Sequence, residues 1–179
     1  MSDIMRGYFG VGIEGVSKPF NVGNLMRSAH AFGADFLFTI AAEYAGAGSD
    51  TAKTPEHVPF FQFATVEEMV LPEGCALVGI ELMDEAVELP SFPHPLSAAY
   101  VLGPERGSLS PGLVARCDHL VRIPARFSIN LGVAGAIVMY DRMLTLGRFG
   151  ERPVNPRAEP ASRPLHVFGE PTRRRPKSR

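Results

Sequence analysis

Three stretches of this sequence gather the residue types that do chemistry. They are Asn21-Val-Gly-Asn-Leu-Met-Arg27, Leu102-Gly-Pro-Glu-Arg-Gly-Ser-Leu-Ser-Pro111 and Ile123-Pro-Ala-Arg-Phe-Ser-Ile-Asn-Leu-Gly-Val-Ala-Gly-Ala136. The first sits where a strand hands over to a helix, so free backbone N–H groups and polar side chains there can face a site. Arg27 follows Asn21 by less than two helical turns and reads either as part of that site or as a surface arginine. The second is a Gly/Pro-rich turn directly after a buried strand. Gly103 and Gly107 let backbone approach a ligand closely, and Glu105 puts a carboxylate at the strand's C-terminal end, the edge where open α/β sheets bind ligands. An ordinary strand-to-helix turn is the alternative. The third enters a helix whose first turns hold Gly132, Ala134, Gly135 and Ala136. Glycine inside a helix costs about 1 kcal/mol relative to alanine, so two of them imply close approach by another helix or by a cofactor.

Other chemistries are disfavoured. Gly10-Val-Gly-Ile-Glu-Gly15 satisfies G-x-G-x-x-G, with Asp35 twenty residues beyond. A dinucleotide site needs those glycines in a turn that opens a helix, whereas Gly10 and Gly12 interrupt a strand and Asp35 starts the next one. The two cysteines, Cys75 and Cys117, make no disulfide framework and no four-ligand zinc site. Five scattered histidines lack helical pairing, so no metal is expected. There is no run of 18 apolar residues and no signal-peptide pattern, which predicts a cytoplasmic protein with no membrane partner.

The elements that must position these residues follow from periodicity. Strands are expected over 8–13, 35–40, 60–63, 76–82, 98–102 and 119–123, with 8–13, 76–82 and 98–102 buried. Helices are expected over 21–33, ending at Gly33, from the cap-and-proline pair Ser110-Pro111, and over 131–146. Thr65-Val-Glu-Glu68 has the form of a capping box and predicts one more helix, while residues 41–57 read as a loop. The alternation predicts an α/β fold: a mostly parallel sheet with helices on both faces.

At 179 residues, 45% hydrophobic and 21% charged, the chain suits one domain plus a tail. Its net charge of −1 hides an asymmetry. Residues 1–150 carry 10 basic against 16 acidic side chains, a balance of −6; residues 151–179 carry 8 against 3, a balance of +5, with six prolines. The expected organisation is a folded domain over 1–150 and a Pro/Arg-rich basic tail over 151–179. The tail cannot bury enough apolar surface to offset its ordering entropy, and serves either as a phosphate-contacting arm or as a solubilising one.

Taken in order, the three stretches resemble the three motifs of SpoU/TrmH-type RNA 2′-O-ribose methyltransferases of the SPOUT superfamily. Asn21 to Ala34 resembles the first motif, Gly103-Pro-Glu-Arg-Gly107 the second, and Ile123-Pro with Ser128-Ile-Asn130 and the small-residue helix the third. The resemblance covers about residues 8–147. It implies a C-terminal trefoil knot that binds S-adenosylmethionine as methyl donor, a homodimer, and an RNA substrate, tRNA or rRNA. It also implies catalytic roles for Arg27, Asn21, Glu105, Ser128 and Asn130, and a cofactor wall built by Ile80, Gly103, Ile123, Ser128, Asn130 and Leu131. The lack of a further recognition domain favours tRNA over rRNA, by analogy only. A non-catalytic RNA- or S-adenosylmethionine-binding protein of the same fold is the alternative, and a base-methylating relative is disfavoured by the ribose-type first motif.

Overall fold

The computed structural model describes residues 7–15, 18–42, 50, 53–104 and 107–147. Glu105 and the basic tail lie outside the described residues, as does most of the expected 41–57 loop.

Among the described residues, seven strands form one sheet: β1 (Phe9–Glu14), β2 (Phe36–Ile40), β3 (Phe60–Phe63), β4 (Ala76–Ile80), β5 (Val87–Glu88), β6 (Ala98–Leu102) and β7 (His119–Arg122). Their order is β3-β2-β1-β6-β4-β7-β5, and every pair is parallel. Three helices join them: α1 (Pro19–Phe32), α2 (Pro111–Arg116) and α3 (Leu131–Leu146). Short 3-10 turns at Thr54–Glu56 and Leu89–Ser91, and the two-residue β5, have no periodic signal in the sequence.

Parallel strands buried on both faces need apolar side chains on alternate sides. Val11, Ile13 and Leu37 point toward α1 and α3, where Leu25, Met26 and Met139 complete the core. Phe36, Phe38, Leu77 and Val101 point the other way, onto Leu109 and Leu113 of the α2 side. The strand glycines serve this second layer: a Cβ on Gly10 or Gly12 would lie 2.2 or 2.3 Å from the rings of Phe36 or Phe38. The G-x-G-x-x-G pattern is therefore a packing pattern.

Register sets the working edge. Ile13 and Ile80 both pair with Leu102, and Ile80 also pairs with Val121. The chain leaving β1, β4, β6 and β7 thus emerges at one level, at the carboxyl edge of the sheet.

Helix ends follow local chemistry. α1 starts at Pro19, two residues before Asn21, because proline's fixed φ suits the first helical position. It stops at Gly33, whose φ of 79° is left-handed and whose N–H closes onto Ala29 and His30. The helix expected after Thr65 is absent. Thr65 Oγ1 does accept from the Glu68 N–H at 3.3 Å, but only a turn follows before Pro72. The Val66 and Met69 carbonyls are taken instead by the Arg116 guanidinium, so the backbone has a partner that a continuing helix would have supplied.

Candidate active site

Asn130 begins α3 without being part of it. Its Oδ1 accepts from the Gly132 and Val133 N–H groups at 2.9 and 3.3 Å, satisfying two of the helix's unpaired donors. Its Nδ2 donates to Asn21 Oδ1 at 3.0 Å. Asn21 lies in the first turn of α1 and is buried. One hydrogen bond thus joins the first and third sequence stretches across 109 residues.

The glycines of α3 make this approach possible. A Cβ on Gly132 would lie 3.1 Å from Asn24 Cβ, and one on Gly135 would lie 2.1 Å from Leu25 Cδ1. The close neighbour inferred from the small-residue helix is α1.

Two openings flank the segment that enters α3. The first is a cavity of about 220 Å³ at the carboxyl edge. Its walls come from the ends of three strands and the loop before α3: Ile80, Leu102, Gly103, Ile123, Ser128 and Leu131, among others. Gly103 lies against the returning loop, since a Cβ there would sit 3.1 Å from the Leu109 N–H nitrogen. Among the described residues that line this cavity, Glu81 alone is ionisable.

The second opening is a groove of about 630 Å³ between α1 and α3. Arg27, Ser28 and Asn24 line it from α1, and Asn130, Val133 and Tyr140 from the α3 side. The segment 128–134 is the partition: Ser128, Ile129, Leu131 and Ala134 border the cavity, while Asn130, Gly132 and Val133 border the groove.

The expected site residues therefore divide. Ile80, Gly103, Ile123, Ser128 and Leu131 share the cavity. Asn130 lies with Arg27 on the groove, because its side chain is committed to capping α3 and to Asn21. Glu105 lies outside the described residues. Two acids outside the expected site set hold the loop that leaves β6. Glu14 Oε2 accepts from the Ser110 N–H at 2.7 Å and its Oε1 from the Ser110 hydroxyl at 2.5 Å. Glu81 Oε2 accepts from the Leu109 N–H at 2.7 Å. Their only sequence signal is their place at strand ends.

Neither thiol suits nucleophilic chemistry. Burial, reinforced by the charge of Asp118, pushes Cys117 up to about 11, and burial also raises Cys75. Among the described residues no three His, Cys, Asp or Glu side chains gather as a metal site, and no helix is long and apolar enough to cross a membrane.

The sequence and the fold have counterparts among known proteins. Over 140 residues the chain is 28% identical to a 23S rRNA (guanosine-2′-O-)-methyltransferase, RlmB, of Coxiella burnetii, covering 72% of this chain and 55% of that one. The chain spans little more than half the length of the curated relatives it matches. Its fold matches the AdoMet-bound rRNA methyltransferase of Sinorhizobium meliloti with a TM-score of 0.68 at 23% identity, covering 79% of this chain and 58% of that one. It also matches a structure described as giving insights into the 2-OH methylation of C/U34 on tRNA, with a TM-score of 0.66 at 24% identity, covering 78% of this chain and 91% of that one. Residues 9–140 match the model of the SpoU rRNA Methylase family, and the chain belongs to that family.

Proposed function

We propose that this protein transfers a methyl group from S-adenosylmethionine to a ribose 2′-hydroxyl of RNA, with tRNA favoured over rRNA. The observation that carries the reading is the convergence at the carboxyl edge. Residues of the second and third motifs form one cavity there, and an Asn21–Asn130 hydrogen bond ties in the first.

The cavity fits the cofactor chemically. Ile80, Leu102, Ile123 and Leu131 offer apolar walls to a purine and ribose, and Gly103 brings backbone close. When bound, S-adenosylmethionine supplies a methyl already activated on a sulfonium, so covalent catalysis by the protein is not required. The protein's share is positioning and charge. Arg27 is exposed on the groove, and its planar, permanently charged fork suits an RNA phosphate beside the reacting sugar. Arginine scarcely deprotonates, so its role is phosphate clamping and electrostatic stabilisation rather than proton abstraction. Ser128 brings a hydroxyl to the cavity rim, and Glu105 belongs to the same proposal through its place in the second motif.

The homodimer and the knot are part of this reading. Supporting the first, Val133, Ile137 and Tyr140 of α3 are 52%, 37% and 44% exposed beside the Arg27 groove, an apolar face suited to a second copy. The partition between groove and cavity further favours a site shared across the dimer, with Arg27 serving its partner's cofactor. Supporting the second, β6 lies between β1 and β4 although it follows both in the chain, β7 then joins the far side of β4, and α3 packs back against β1 and α1. Support for tRNA comes from the match that this chain covers to 91%, a protein of similar extent whose description names tRNA. We place the protein in the cytoplasm, with 1–150 as the catalytic domain and 151–179 as a basic tail that serves either as an arm for RNA phosphates or as a solubilising one.

The test is transfer of labelled methyl from S-adenosylmethionine into separate pools of unmodified tRNA and rRNA. Label in tRNA supports the reading, and label in rRNA alone overturns the substrate preference. No label in either pool, with the cofactor still bound, favours the non-catalytic alternative.

A further inference from the structure

The loop that leaves β6 is held from both sides by carboxylates. β6 lies between β1 and β4 in the sheet. Glu14, at the end of β1, takes the N–H and the hydroxyl of Ser110. Glu81, the residue after β4, takes the adjacent N–H of Leu109 at 2.7 Å, and its other oxygen takes the Leu82 N–H at 2.9 Å. Two consecutive amides thus fix the return of the loop whose earlier part, Gly103, Pro104 and Gly107, walls the cavity.

The two N–H bonds, one on each oxygen, account for the anchoring of the loop, and the negative charge is a second property of the same group. Among the described residues, no lysine, arginine or histidine forms an ion pair with Glu81, whose partners there are the two backbone N–H groups. A partly buried carboxylate without a countercharge costs solvation, and a cation bound beside it recovers that cost. Glu81 and its neighbour Leu82 both line the cavity, and the Leu109 nitrogen it holds backs directly onto Gly103 of the wall.

We infer that Glu81 is a cofactor-selecting residue: its carboxylate gives the cavity a preference for the cationic methyl donor over the demethylated product. The inference rests on reading the cavity as the S-adenosylmethionine site. Methyl transfer removes the sulfonium charge, so S-adenosylmethionine carries one more positive charge than S-adenosylhomocysteine while keeping nearly the same shape. A fixed negative charge in the wall separates the two where shape cannot. It favours entry of the donor and release of the product after each turnover.

The test is the dissociation constant of each nucleoside, measured by calorimetry on the full chain as wild type, Glu81→Gln and Glu81→Asp. Gln keeps an acceptor for one of the two N–H groups and loses the charge; a loosened loop weakens both nucleosides alike, whereas loss of charge separates them. Glu81→Gln should weaken S-adenosylmethionine by on the order of tenfold, the scale of a partly screened charge pair, and leave S-adenosylhomocysteine nearly unchanged. Asp keeps the charge, so the ratio of the two constants should stay near that of the wild type even where both affinities fall. A Gln variant that weakens both nucleosides equally, or neither, overturns the role and leaves Glu81 as a loop anchor. An Asp variant that shifts the ratio as far as Gln overturns it too. Wild-type protein that binds neither nucleoside overturns the reading of the cavity itself, a separate and distinguishable failure.

Discussion

Arg27 and the Asn21–Asn130 pair stand in different surroundings, and substitution separates the roles proposed for them. Arg27 is exposed on the groove rather than in the cavity, so its loss should spare cofactor binding. Arg27→Ala should lower the methylation rate by about 10²–10⁴, the scale of one positioned catalytic group, with S-adenosylmethionine affinity essentially constant by calorimetry. Lysine, a point charge without the fork, should recover only part of the rate. A loss below about tenfold contradicts the role. At this scale the sequence is informative about identity and poor on contact. Asn21, Arg27, Ser128 and Asn130 stand out by motif, but the spacing 21 to 130 says nothing of a 3.0 Å bond between the two asparagines. Glu14 and Glu81 look like ordinary acids, because the partners that give them meaning are backbone amides on a distant loop.

At the scale of elements, α3 carries the site at one end and an anchor at the other. Asn130→Ala removes both the cap and the tie to Asn21. It should lower stability by about 1–2 kcal/mol and weaken the cofactor, read as a fall in melting temperature and in binding together. The far end is held by Arg142, 95% buried, which donates to the carbonyls of Pro95 and Leu96 at 2.5 and 2.6 Å and lies 5.2 Å from the Phe9 ring centre. Beside it, His94 is wedged between the Tyr100 hydroxyl at 2.6 Å and Asp141 at 2.9 Å.

Burial pulls His94 below its usual 6.5, against the opposing pull of Asp141. The folded state therefore favours the neutral ring, while the unfolded chain takes up the proton as pH falls through 6.5. This contribution to stability is intact above that value and is lost progressively below it. Melting temperatures measured from neutral to mildly acidic pH should fall in the wild type. They should fall less steeply in His94→Gln; parallel slopes contradict the assignment.

α3 itself is legible in the sequence, from an asparagine cap, an apolar run and small residues, and its bounds agree with the expected 131–146. The Thr65 box is misleading because it reports one local hydrogen bond and cannot see Arg116, which is far in sequence and takes the carbonyls a helix would use. The anchoring of α3 is illegible for the same reason: a lone Arg142 in an apolar helix carries no mark of the loop carbonyls that receive it.

For the whole molecule, the separation of groove from cavity bears on how two copies would work together. Arg27→Ala damages the groove alone, and Ala134→Phe fills the cavity from a position that is 8% exposed. If Arg27 serves the partner's cofactor, each homodimeric variant is inactive, and mixing the two leaves one intact site in every mixed dimer. Activity should then recover to about a quarter of wild type, since about half of randomly assorted dimers are mixed and each holds half its sites. If both residues served one protomer, neither site of a mixed dimer would be intact and mixing would restore nothing; a chain carrying Arg27→Ala together with Ala134→Phe gives the converse check. Mixed with wild type, that double variant leaves each mixed dimer one working site when Arg27 acts within its own chain, and none when it acts across.

The central claim, ribose methylation at this edge of the sheet, is tested most directly by the chemical identity of the product. RNA methylated by the wild-type protein would be digested to nucleosides and examined by mass spectrometry, with Arg27→Ala alongside. The account predicts a methyl on the ribose 2′-oxygen from the wild type and almost none from the variant. A methyl on a base, or equal ribose methylation by both proteins, would contradict it.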